Sequence, residues 1–104
     1  MQAQAYLLRN AVIYDGTGRP SIRSDLLILG TRISLMGKID DSDLPVRPIT
    51  IDCTGLCVSP GFIDMHSHSD SGLPLYPDAE CLIRQGITTT IGGNCGSSAA
   101  GIPY

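Results

Sequence analysis

The sequence predicts a chain of mixed β and α/β class, with a small β layer over residues 1–58 followed by a strand, helix, strand unit over residues 59–104. Three observations predict it. Short apolar runs separated by Gly-containing turns fill the first half, as in a sheet of short strands. After Pro60 an apolar run, a short helical stretch and a β-branched run follow one another, which is the pattern of a βαβ crossover and implies parallel strands. The only two histidines, His66 and His68, fall where the first of these later strands would end.

Taken in order, Ala5 to Tyr14 places Tyr6, Leu8, Ala11 and Ile13 ahead of Asp15-Gly16-Thr17-Gly18, so it reads as a strand, bent near Asn10 and closed by a turn. Asp25 to Leu29 and Arg32 to Met36 flank Gly30-Thr31, which fits the Gly-X pair of a two-residue hairpin. Leu26, Ile28, Ile33 and Leu35 are expected on its half-buried face. Asp40 to Pro48, with three acids and two prolines, reads as an exposed loop without calcium-loop spacing. Ile49 to Asp52 and Leu56 to Ser59, on either side of Thr54-Gly55, complete the layer. A unit of this size buries only ~60% of its surface, and its edge strands call for partners.

Pro60-Gly61 marks a break, and Phe62 to Met65 supplies the next apolar strand. Ser69 to Pro77 is a polar, Pro-containing loop. Asp78 is expected to cap a short helix that sets Ala79, Leu82 and Ile83 on one face, with Asp78 and Glu80 at its positive end and Gly86 at C′. Ile87 to Ile91 is β-branched throughout and reads as the following strand. Gly92-Gly93-Asn94-Cys95-Gly96 closes it with a loop tight enough to present the cysteine beside the first strand.

Composition narrows the function. The chain has 104 residues, 42% of them hydrophobic, and a formal net charge of −3 with no basic cluster, which argues against nucleic acid or an anionic membrane surface as partner. The first residues lack a signal-peptide pattern, and no apolar run approaches the roughly 20 residues needed to span a bilayer, so a cytoplasmic location is expected. Four cysteines in apolar or Gly-rich stretches are expected to be reduced thiols. Cys53, Cys57 and Cys81 read as small core residues.

The chemistry is concentrated between Gly61 and Asp70. In a strand, residues of one parity project to one face, so His66 and His68 can reach the same metal ion. An isolated pair of this kind is equally a polar turn, and a cysteine in a Gly-rich loop is equally a plain loop residue. The histidines' placement at the carboxyl end of a strand, where parallel α/β barrels build active sites, favours the metal reading for them. Asp64 shares parity with the histidines, and either holds an imidazole by its free N–H or satisfies local backbone groups. Asp70 either contacts substrate or caps a turn.

These residues carry a family resemblance. PGFIDMHSHSD is similar to the first barrel strand of the amidohydrolase superfamily, whose members are metal-dependent hydrolases. IRQGITTTIGGNCGS, residues 83–97, resembles the D-aminoacylase (N-acyl-D-amino-acid deacylase) branch. The likeness is loose over the first 58 residues and close over the last 46. It implies that the β layer is part of a composite β-sandwich, and that residues 59–104 begin a TIM-like barrel left incomplete here, since a whole one needs roughly 250 residues. It also implies that Cys95 joins His66 and His68 as a metal ligand, bridging if two ions are present, in place of the carbamylated lysine of many relatives. Lys38, in the β layer, is no candidate for that role.

The cofactor so implied is zinc, as one or two divalent ions, because soft sulfur is a poor ligand for magnesium or calcium. The implied substrate is a small N-acyl-D-amino acid, its amide hydrolysed by water activated at the metal. The remainder of the barrel, including the general base, would lie beyond Tyr104, and the 104 residues alone are expected to be inactive. A cyclic amidase of the dihydroorotase or hydantoinase type is the rival within the superfamily. A truncated β-rich module without catalytic activity is the rival outside it.

Overall fold

The computed structural model describes residues 4–99, and the outer ends of both expected segments lie outside the described residues. The chain divides into two compact units, with the change at Pro60/Gly61. The first holds β1 (Ala5–Ile13), β2 (Ile22–Leu29), β3 (Arg32–Gly37), β4 (Ile49–Asp52) and β5 (Cys57–Val58). They form one sheet in the order β3-β2-β1-β4, and β5 also pairs with β1. β1 is antiparallel to β2 and parallel to both β4 and β5. β4 lies against Tyr6 to Arg9 and β5 against Val12 and Ile13, so the two short strands share one edge of β1.

The bend expected at Asn10 is a β-bulge. Leu8 pairs with Leu26 and Ala11 with Ser24, so Arg9 and Asn10 together oppose Asp25. Asn10 takes φ 60°, a left-handed conformation that asparagine tolerates better than most residues. The extra residue shifts side-chain parity, so Leu8, Ala11 and Ile13 pack into one cluster with Leu26 and Cys53. A second cluster, of Leu7, Leu27 and Ile39, packs separately around the paired residues Leu7 and Leu27.

The Asp25 carboxylate fills the bulge. It accepts from the Asn10 N–H (2.9 Å), the Arg9 guanidinium (2.8 Å) and the Ile39 N–H (3.4 Å). Arg9 also donates to the Ile39 carbonyl and pairs with Asp41 at 2.8 Å. Burial alone would raise the pKa of Asp25, but the Asn10 N–H, the Arg9 guanidinium and the Ile39 N–H outweigh it and hold the carboxyl below its usual value.

Gly30 has φ 58° and Thr31 does not share the positive φ, as a II′ hairpin turn requires. The expected hairpin face is corrected. Leu27 pairs with Leu35 and Ile28 with Ile33, leaving Ser34 as an inserted residue, so Ile33 and Leu35 lie on opposite faces. The expected core set is corrected as well. Cys53 is buried, but Cys57 and Cys81 are exposed, and all four cysteines are free thiols.

The second unit holds β6 (Phe62–Asp64), α1 (Glu80–Ile83) and β7 (Ile87–Thr90), with β6 and β7 parallel. Gly61 packs so tightly on β7 that an added Cβ would lie 2.2 Å from the Thr88 Cγ2 and 2.7 Å from its Cβ. Asp78 does not cap the helix. Ala79 occupies the N-cap with φ 47° and no side-chain cap, and Gly86, φ 76°, lies two residues beyond the C-cap Arg84. Among the described residues there is no closed barrel, and no helix is long and apolar enough to cross a membrane.

Candidate metal centre

β6 ends at Asp64, so His66 and His68 stand in the bend beyond it and strand alternation does not place them. The parallel pairing nevertheless continues through single backbone bonds. The Ile91 N–H donates to the Asp64 carbonyl (2.8 Å) and the Ser67 N–H to the Ile91 carbonyl (3.0 Å). Ser67 is turned inward, only 7% exposed. Its hydroxyl donates to the Ser69 hydroxyl (2.9 Å), which in turn donates to the Thr90 hydroxyl (3.3 Å). With Ser67 pinned on the inner side, the flanking histidines are left exposed, their ring centroids 5.5 Å apart and their planes tilted by 58°.

Cys95 comes from the loop after β7. Gly93 (φ 78°), Cys95 (φ 59°) and Gly96 (φ 70°) all adopt left-handed backbone, and Asn94–Gly96 forms a single 3-10 turn. For cysteine this conformation costs on the order of 1–3 kcal/mol, and such strain clusters at functional sites. The Asn94 side-chain amide donates to the Met65 carbonyl (2.8 Å), tying the loop to the bend that carries the histidines. Sequence reasoning missed Asn94. The available signal was an amide side chain amid glycines, whose own short reach satisfies no distant group. The Cys95 Sγ lies 3.2 Å from the His66 Nε2.

The two carboxylates do different things. The Asp64 Oδ1 accepts from the His66 backbone N–H (3.1 Å), so its observed bond orients the chain and not the imidazole, which is the second of its two expected roles. The Asp70 Oδ2 accepts from the Ala99 N–H (2.8 Å). Its Oδ1 is buried without a hydrogen-bond partner among the described residues.

One ligand atom each from His66, His68 and Cys95 lie within 4.8 Å of one another, and all three residues are exposed. Two ligands of one tetrahedral zinc are roughly 3.5 Å apart, given bond lengths near 2.0 and 2.3 Å. The cluster therefore fits a single ion with small rotamer adjustments. Two imidazoles and a thiol suit a borderline-soft divalent metal and not magnesium or calcium.

A parallel βαβ unit that presents two imidazoles and a thiol beyond the ends of its paired strands defines an α/β protein with a candidate metal centre. The sequence profile of the Amidohydrolase family matches residues 50–102, and the chain belongs to that family. It is 42% identical over 99 residues to the N-acyl-D-aspartate deacylase of Alcaligenes xylosoxydans xylosoxydans, a match covering 94% of this chain and 19% of the relative. The crystal structure of N-acyl-D-glutamate deacylase from Bordetella bronchiseptica, complexed with zinc and a phosphonate mimic of the tetrahedral intermediate, superposes with a TM-score of 0.79 at 38% identity, covering 100% of this chain and 21% of that one. A D-aminoacylase with a binuclear metal center superposes at 0.81, with 38% identity, covering 95% and 20%. The chain thus spans about a fifth of the length of the curated relatives it matches.

Proposed function

We propose that these residues form the amino-terminal part of a zinc-dependent deacylase that hydrolyses the amide bond of N-acyl-D-amino acids, with residues 1–58 as part of a β-sandwich and residues 59–104 as the start of the barrel. The observation that carries this reading is the Cys95 thiol at 3.2 Å from His66, on a glycine loop whose sequence resembles the deacylase branch. The similarity to N-acyl-D-aspartate and N-acyl-D-glutamate deacylases supports it, as does the zinc in one of their structures. Four free cysteines support a reducing compartment, for which we propose the cytoplasm.

His66, His68 and Cys95 would hold the ion. When bound, zinc supplies a water of pKa near ~7 and polarises the amide carbonyl. Asp64 fixes the His66 backbone, Ser67 turns both imidazoles outward, and Asn94 sets the height of the thiol. The exposure of all three donors leaves room for a small substrate to approach.

Metal analysis and activity of the complete enzyme test the reading. His66→Ala and Cys95→Ala should each lower zinc affinity by more than ~100-fold, beyond the 10–100-fold typical of losing an outer partner. N-acyl-D-amino acids should be hydrolysed in preference to their L-forms and to dihydroorotate. Unchanged zinc content and rate in Cys95→Ala would remove the thiol from the site. Turnover of cyclic amides alone would favour the cyclic-amidase reading.

A further inference from the structure

Asp70 lies two residues beyond His68, in the 3-10 turn Ser69–Ser71, and its carboxylate reaches under the loop that carries Cys95. A hydrogen bond and a close backbone approach join them. At the far end of the loop, the Ala99 N–H donates to the Asp70 Oδ2 at 2.8 Å. At the near end, a Cβ added to Gly92 would meet the Asp70 Cγ at 3.1 Å and its Oδ2 at 3.3 Å, so the loop lies directly on the carboxylate. Gly92 does not have the positive φ that would call for glycine, so its small size is what the contact uses.

The carboxylate is held there at a cost. Its Oδ1 is buried with no partner among the described residues, and an unsatisfied buried acceptor is unfavourable. Between the two contacts stands Cys95, whose left-handed backbone would relax if the loop were released.

We infer that Asp70 is a positioning residue, which fastens the far end of the 92–99 loop and underlies its near end beside the segment bearing His66 and His68, and so holds the Cys95 thiol over the imidazoles. The inference rests on the metal reading for its functional consequence and on the loop contacts for its geometry. Asp70 is none of the three candidate donors in this role. It acts through Ala99 and Gly92.

The test compares Asp70→Ala, Asp70→Asn and Gly92→Ala in the complete protein by two readouts. The first is amide hydrogen exchange of the metal-free protein at residues 92–99. The second is the thiolate-to-metal charge-transfer band of the cobalt(II)-loaded protein. Asp70→Ala should speed loop exchange about tenfold, the loss of one hydrogen bond, and weaken the band. Asp70→Asn keeps the shape and one acceptor and should match the wild type in both. Gly92→Ala should resemble Asp70→Ala, and unchanged exchange in β6 and β7 will show that the fold of the second unit persists.

Wild-type loop exchange in Asp70→Ala, or equal effects of the alanine and asparagine variants, would overturn the inference. If Asp70→Ala does not fold, Gly92→Ala and Asp70→Asn decide by the same criteria. A wild-type protein that lacks the band but shows faster loop exchange in Asp70→Ala would refute ligation by Cys95 and leave the loop attachment standing.

Discussion

Among the described residues, three that are not glycine, Asn10, Ala79 and Cys95, adopt left-handed backbone. At Asn10 the conformation serves the bulge. Asn10→Val should cost about 1–3 kcal/mol, because a β-branched residue is strained at positive φ, while Asn10→Gly should be far milder. Thermal or denaturant unfolding will check both. Gly61 makes a sterically sharper case. Gly61→Ala should destabilise by about 1–3 kcal/mol through overpacking. Because the clash includes the Thr88 Cβ at 2.7 Å, Thr88→Ala should not rescue it, whereas Thr88→Gly should. Rescue by Thr88→Ala would show that the threonine γ atoms, not its Cβ, set the cost.

At the scale of elements, the bulge in β1 and the Asp25 carboxylate form one device, since the carboxylate satisfies the N–H that the bulge leaves outside the ladder. Asp25→Ala should cost about 1–3 kcal/mol, as expected for unpairing partly buried polar groups. The pH dependence follows from the lowered pKa. In the folded chain Asp25 gives up its proton more readily than an ordinary aspartate, so the unfolded chain binds more protons in the window below the usual aspartate pKa. Its stabilisation is complete above about pH 4 and is lost as pH falls through the folded pKa. Asp25→Asn should flatten the acid limb of the stability curve, measured by denaturant titration. An unchanged limb would assign the acid loss to other carboxylates.

For the whole molecule, the distribution of burial is uneven. Among the described residues every buried apolar side chain, from Ala5 to Cys53, belongs to the first unit, while Phe62, Ile63 and Met65 in and after β6 are exposed. A two-stranded sheet without a buried apolar layer is marginal in water. Hydrogen exchange of the 104-residue chain should therefore find β1 and β2 the most protected and β6 and β7 opening by local fluctuation. Equal protection of β6 and β1 would contradict this ordering.

The sequence by itself determined the bend at Asn10 and the Gly-X hairpin, because each depends on local turn propensity, and it singled out His66, His68 and Cys95 as candidate donors, the histidines by ligand type and spacing and the cysteine through the family resemblance. It also determined the family resemblance through the two motifs around those donors. Only the tertiary structure decided that Ser34 is an inserted residue, that Cys57 and Cys81 face solvent, and that the histidines lie beyond their strand, turned outward by Ser67. Those outcomes depend on register and on contacts between residues 20 to 30 positions apart, such as Ser69 with Thr90 and Asp70 with Ala99. A linear pattern of apolar and polar residues carries no distance between such partners, so the fold had to bring them together before their roles could be read.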